Sequence, residues 1–394
     1  MNKSILNIEI QEFINNNLYS EITALLFKKS PFPTVDIKEL VEQIEAKKKC
    51  KDKLPTWFNS KNIYYPNKLN IEQTSSEVTA KYKSHLIKGK TLIDITGGLG
   101  VDTFYFSKYF QNVIHCEINK ELSLIAKANF KTLKANNIDL VSKDGIDFLK
   151  ETTKDIDWIY VDPSRRHENK GKVFLLEDCL PNIPELLSFL FQKTNNIMMK
   201  TSPLLDISKG INSLQNVKEI HCIAVNNEVK ELLWLLEKGF NEETVINTIN
   251  ITKNYNQVFS FLMDQEKHTQ AIFSEPEDYL YEPNAAILKA GAFNTISEKL
   301  KLNKLHPNSH LYTSHKLIND FPGRVFSIES VLPYSKTTLK KLKNSKANIT
   351  TRNFSESVAS IRKKHHITDG GKTYLFFTTS LSGKIIVETK KEIK

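Results

Sequence analysis

The 394-residue chain has only four cysteines, Cys50, Cys116, Cys179 and Cys222, and no two of them stand in CxxC spacing. That scatter excludes a disulfide framework and the usual zinc spacings, so no metal site is expected and the thiols read as buried structural groups. No stretch approaches the roughly 18 apolar residues that a membrane span needs. The opening MNKSILNIEIQEFINNNL alternates apolar and polar residues and lacks a signal-peptide core, so it reads as a mature helical start. A cytoplasmic protein with no membrane and no obligate protein partner is the expectation. Charge of one sign is also missing from most of the chain: the first 320 residues hold 40 Lys/Arg and 40 Asp/Glu. From Phe321 onward there are 15 basic and 5 acidic residues, so the whole net charge of +10 lies in the tail. A basic module on a neutral body suits recruitment of a polyanion by one part and chemistry by another.

What is present is an alternation. Residues 1–60 carry helical periodicity, as in DIKELVEQIEAKKKCKDKL. From about 90 to 225, β-type runs (TLIDIT, NVIHCEI, DLVSKD, WIYVDP, NIMMKTSP, VKEIHCIAVNN) alternate with helix-length stretches, the mark of a doubly wound, mostly parallel α/β sheet. Ligands of such sheets bind beyond the carboxyl ends of the strands. EVKELLWLLEKG reads as a further helix, TVINTINI and VFSFLMD as closing strands, and FPGRVFSIE as a hinge into the basic tail. The expected division is 1–60 helical, 61–275 catalytic sheet, 276–322 connecting module and 323–394 basic domain.

The segment LIDITGGLGVD, residues 92–102, ends a strand in a glycine turn. A Walker loop needs a Lys-Ser/Thr pair after its last glycine, but Val101-Asp102 follows Gly100. A dinucleotide fingerprint needs a third glycine where Thr103 stands, and Asp102 puts a negative charge where a pyrophosphate would sit. The remaining ligand is S-adenosylmethionine, which carries no phosphate. Gly98 and Gly100 let the backbone approach it. Asp94 and Asp102 are expected to receive its ammonium or order the turn, Glu117 to accept from both ribose hydroxyls, and Asp144 to accept from the adenine amino group. Together with Thr96, which stands where a first glycine usually falls, these residues resemble the first motifs of class I S-adenosylmethionine-dependent methyltransferases.

The fourth strand ends in DPSRR, residues 162–166. In nucleic-acid amino-methyltransferases this position carries [DN]PP[YF], whose polar side chain and following carbonyl accept from the amine as charge develops. Asp162-Pro163 resembles the start of that motif, while Ser164 and Arg165 depart from it; Arg165 is kept as a catalytic candidate, with Arg166 and Lys200 beside it as substrate contacts. Upstream, EQTSSEVTAKYKS is a capped helix start, with Gln73, Ser75 and Ser76 as candidate ligand contacts or plain caps. In the tail, IRKKHH supplies Arg362, Lys363 and Lys364 as candidate phosphate contacts. YEPNAAILKAGAF, FPGRVF, DPSRR, KTSP and the tail as a set resemble a bacterial group of these methyltransferases with a C-terminal THUMP-like domain. The resemblance implies a Rossmann-like sheet, an N-terminal helical region, a small α/β THUMP-like domain, and methylation of structured RNA. A methyltransferase for a small molecule or a protein, or an RNA-binding protein that retains the fold without catalysis, remains open at this point.

Overall fold

The computed structural model describes residues 1–165 and 175–392, the side chain of Arg165 excepted. The chain divides into two compact units, Met1–Val217 with Leu233–Phe240, and Lys218–Leu232 with Asn241–Lys394.

The first unit opens with helices α1 (Ile8–Asn16), α2 (Ile22–Leu26), α3 (Ile37–Lys53), α4 (Pro55–Asn59), α5 (Lys68–Gln73) and α6 (Glu77–Leu86). A capping box between Asp36 and Glu39 starts α3. The Tyr64-Tyr65 pair that breaks the helical pattern is fastened on two sides. Tyr65 exchanges backbone bonds with the Gln43 amide of α3, and Tyr64 does the same with the Asn129 amide. Side chains thereby replace the ladder partners this extended stretch lacks.

Then strands and helices alternate: β1 (Gly89–Asp94), α7 (Val101–Phe106), β2 (Phe110–Cys116), α8 (Lys120–Thr132), β3 (Ile138–Val141), α9 (Gly145–Glu151) and β4 (Trp158–Val161). A two-residue ribbon, β5 (Ser164–Arg165) with β6 (Cys179–Leu180), precedes α10 (Ile183–Lys193), β7 (Asn196–Thr201) and α11 (Ile207–Ser213). The strand order β7-β4-β1-β2-β3 is parallel throughout. The chain moves outward from β1 through β2 and β3 and returns at β4, so the switch point lies between β1 and β4. The strands that flank it are near-continuous apolar runs, as burial on both faces requires.

After β8 (Val217–Val225), residues 228–237 form a strand, β9 (Glu228–Glu237), and not the helix its apolar run suggests. Asn226 and Asn227 both adopt positive φ, of 50° and 66°, which supplies the tight turn that returns the chain as a hairpin. Length and hydrophobicity cannot separate a buried strand from a buried helix.

The second unit continues with β10 (Val245–Ile251), parallel to β8, and β11 (Asn256–Leu262), antiparallel to β10. It goes on through α12 (Gln265–His268), β12 (Tyr279–Pro283), α13 (Ala285–Ala290), α14 (Thr295–Leu300), β13 (Asn303–Lys304), β14 (Tyr312–Ser314), β15 (Gly323–Pro333), α15 (Lys336–Leu342), β16 (Asn348–Arg352), α16 (Val358–His365), β17 (Thr373–Ser380) and β18 (Gly383–Lys391). Seven of its strands form one sheet in the order β13-β14-β12-β15-β18-β17-β16. FPGRVFSIE is therefore no hinge. It is the long strand β15, whose first half pairs with β12 and whose second half pairs with β18. Gly323 permits the entry, because a Cβ there would lie 2.1 Å from the Glu282 carbonyl oxygen. Glu282, buried on β12, accepts from Arg324 of β15 and, at 2.9 Å, from Arg352 of β16.

Candidate active site

A cavity of about 770 Å³ opens at the carboxyl ends of β1, β2, β3 and β4, where the switch point predicts it. Among the described residues its wall holds six carboxylates, Asp94, Asp102, Glu117, Asp144, Asp147 and Asp162, against one lysine, Lys150. Such a surplus repels a pyrophosphate and suits a cationic ligand.

The turn after β1 is built for close approach. Gly98 and Gly100 have φ of +57° and +81°. A Cβ on Gly100 would meet the Phe130 ring at 2.3 Å, and one on Gly97 would meet His115 at the same distance. Gly97 has an ordinary φ and no spacing signal of its own in the sequence. Its constraint is His115, a buried ring under the turn whose pKa burial pushes down to about 4, so it stays neutral. Gly145 is a similar case: a Cβ there would lie 2.4 Å from Ile95, and its absence lets α9 start against the end of β1.

Glu117 is half-buried and fixed by the backbone. Its Oε2 accepts from Gly98 N–H at 2.8 Å and its Oε1 from Asn119 N–H at 2.7 Å. Each carboxylate oxygen has a second lone pair, so two hydroxyls of a ribose can still be received. Asp144 Oδ1 caps α9, accepting from Ile146 and Asp147 N–H, while the residue lines the cavity. These residues fit the polar end groups of S-adenosylmethionine, and the acidic wall fits its sulfonium and ammonium.

Asp94 is buried, accepting from Thr103 Oγ1 at 2.6 Å and Thr96 N–H at 3.0 Å. Burial pushes its pKa up to about 7, with Asp102 and Asp162 adding repulsion against the bonds from the threonines. Thr96 does more than replace a glycine. Its hydroxyl accepts from Asp162 N–H at 2.7 Å and so ties the turn after β1 to the end of β4.

Asp102 faces inward and is held by three partners. Tyr160 OH and Ser75 Oγ donate to its Oδ2 at 2.8 and 2.7 Å, and the buried Lys83 ammonium lies 3.1 Å from Oδ1. Lys83 also donates to Ser75 Oγ at 2.9 Å. Burial alone would raise the Asp102 pKa, but Lys83, Lys200, Ser75 and Tyr160 outweigh it and hold the carboxyl below its usual value. Ser76 is the N-cap of α6, and Gln73 and Ser75 line the cavity. Lys83 and Tyr160 carried no sequence signal, since a lysine on an amphipathic helix and a tyrosine in a strand have no pattern that distinguishes them.

At the far end of the cavity Asp162 and Lys200 leave neighbouring parallel strands, where Val161 pairs with Met199, and their side chains form an ion pair. Pro163 is buried beside them. The Arg165 side chain and Arg166 lie outside the described residues. In the second unit, Arg362 donates to Ile367 and Ala347 carbonyls and pairs with Asp369, and Lys364 lies 3.3 Å from Glu356. Lys363 is exposed.

A parallel sheet with its cavity at the switch point and an acid after each of β1, β2, β3 and β4 defines a class I S-adenosylmethionine-dependent methyltransferase. Comparison with known proteins agrees. The crystal structure of a "putative methyltransferase" from Porphyromonas gingivalis W83 is 33% identical, covers 99% of both chains and superposes with a TM-score of 0.90. The chain belongs to the same family as that protein. Family models match residues 279–322 as a ferredoxin-like domain and 323–391 as a THUMP domain-like region. Ribosomal RNA small subunit methyltransferase J of Francisella tularensis subsp. novicida (strain U112) is 26% identical over 127 residues, which is 28% of this chain and 53% of that protein. The same enzyme from subsp. holarctica (strain FTNF002-00 / FTA) aligns over the same shares at the same identity. The chain thus spans about half the length of the curated relatives it matches.

Proposed function

We propose that this protein transfers a methyl group from S-adenosylmethionine to structured RNA, ribosomal or transfer RNA, in the cytoplasm. The observation that carries the chemistry is Asp162, held at the end of the donor cavity by Thr96 through its backbone and by Lys200 through its carboxylate. When bound, the donor supplies an electrophilic methyl on a cationic sulfur. Gly98, Gly100, Glu117 and Asp144 orient the donor, and Asp94 and Asp102 order the turn through Thr96, Thr103, Ser75, Tyr160 and Lys83. Asp162 accepts a hydrogen bond from the nucleophile, an interaction that strengthens as the nucleophile gains positive charge. Lys200 pairs with the Asp162 carboxylate and directs it.

The RNA reading is supported by the ribosomal RNA methyltransferases that match part of the chain, the THUMP-like match and the basic tail. No helix among the described residues is long and apolar enough to cross a membrane. The test is methyl transfer from labelled donor to RNA from a strain lacking the gene, with protein and small-molecule extracts in parallel. Label in RNA alone, absent with Asp162→Ala while donor affinity stays within a few fold, is expected. Label confined to the other pools, or an Asp162→Ala variant that transfers normally, sinks the reading.

A further inference from the structure

The wall of the cavity beside Asp162 is a segment that neither the sequence motifs nor the family matches pick out. β5 and β6 pair antiparallel, with Ser164 directly opposite Leu180. Directly opposed residues of such a ribbon point to the same face, and both line the cavity that holds Asp162. Leu180 leaves 54% of its surface open although it is large and apolar. Pro181 and Asn182 follow it along the same wall. The Asn182 Oδ1 atom is buried and accepts no hydrogen bond among the described residues. Nor does it cap α10, the helix that it precedes. A buried acceptor without a donor is costly unless a ligand supplies one.

Among the described residues Tyr160 is the one aromatic ring in the cavity wall, and it is buried with its hydroxyl on Asp102 and offers no face for stacking. Apolar surface at this end comes instead from Leu180, Pro181 and Leu186. We propose that Leu180 and Pro181 form the face on which a planar base of the RNA acceptor packs beside Asp162, and that Asn182 takes a hydrogen bond from an N–H on the edge of that base. This inference rests on the RNA reading above. It assigns the specificity-determining contacts of the acceptor to a loop wall, on the side of the cavity away from Glu117.

The test uses the full-length chain, labelled donor and the unmodified RNA pool that serves the wild type. Leu180→Asp is expected to raise the half-saturating RNA concentration roughly tenfold, the loss of one apolar contact, with donor affinity and melting temperature unchanged. Leu180→Met, which keeps an apolar side chain, restores it. Asn182→Ala is expected to lower kcat/KM for RNA roughly tenfold without loss of stability, since it removes no cap. If the wild type methylates RNA while Leu180→Asp and Asn182→Ala match it, the acceptor lies elsewhere and this inference is overturned alone. If the wild type methylates no RNA, the RNA reading falls and takes the inference with it. Equal losses of donor affinity and RNA saturation in both variants would also overturn it, because the wall would then serve the donor.

Discussion

Glu117 shows how much one side chain is asked to do at the donor end. It holds the N–H of Gly98 and of Asn119 while presenting its outer lone pairs to the cavity. Glu117→Ala is expected to weaken donor binding by about 1.5–3 kcal/mol, the range for hydrogen bonds to charged groups, measured by calorimetry. Unchanged affinity would remove Glu117 from the site. Asp94 carries a pH signature. Its folded pKa of about 7 lies above the ordinary carboxyl value, so between about pH 4 and 7 the folded chain holds a proton that the unfolded chain has released. The folded state therefore loses stability as pH rises through this window, and the full cost is present above pH 7. Asp94→Asn should melt within a degree or two of the wild type near pH 4 and several degrees higher at pH 8. The opposite trend of His115, neutral when folded, is common to both proteins and cancels in the difference. A melting difference independent of pH would mean Asp94 is ionised throughout.

At the scale of elements, α6 is joined to α7 by charge. Lys83, buried on α6, reaches Asp102 at the start of α7 and Ser75 just ahead of α6. Removing one partner of a buried pair leaves the other charge unpaired, at a cost of about 3–5 kcal/mol. Lys83→Met should therefore lower the unfolding free energy by that amount, seen as a lower denaturant midpoint with m unchanged, whereas the double variant Lys83→Met with Asp102→Leu should recover part of it. A midpoint unmoved in the single variant would show that the pair is solvated. Thr96 works at the same scale, because its link to Asp162 makes the donor turn and the end of β4 one rigid piece.

For the whole molecule, the seven-stranded sheet changes how the basic tail must be tested. Deleting residues 324–394 would strip β15 from β12 and leave Glu282 buried without Arg324 and Arg352. Arg362 is likewise occupied, holding the turn that contains Asp369. The informative change is at exposed lysines. Replacing Lys340, Lys341 and Lys363 with alanine is expected to weaken RNA binding and to lower its salt slope by about one unit per lost phosphate contact. Donor affinity should not move. An unchanged slope across a salt series would make the tail a solvated face.

The sequence by itself determined the alternation of strands and helices, the glycine turn, the acids at successive strand ends and the DP that follows β4. Each is local, written in periodicity or in spacing along a few residues. The tertiary structure alone decided that residues 228–237 are a strand, because the apolar stretch LLWLL within it has no period and only its asparagine turn and its neighbours settle the matter. It also decided that β15 joins two modules in one sheet, since its partners β12 and β18 lie far away in the chain. The surroundings of Lys83, Tyr160 and Leu180 were decided by the fold for the same reason. Their charge, hydroxyl and open apolar surface gain meaning only from Asp102 and Ser164, residues that the fold, and no motif, brings beside them.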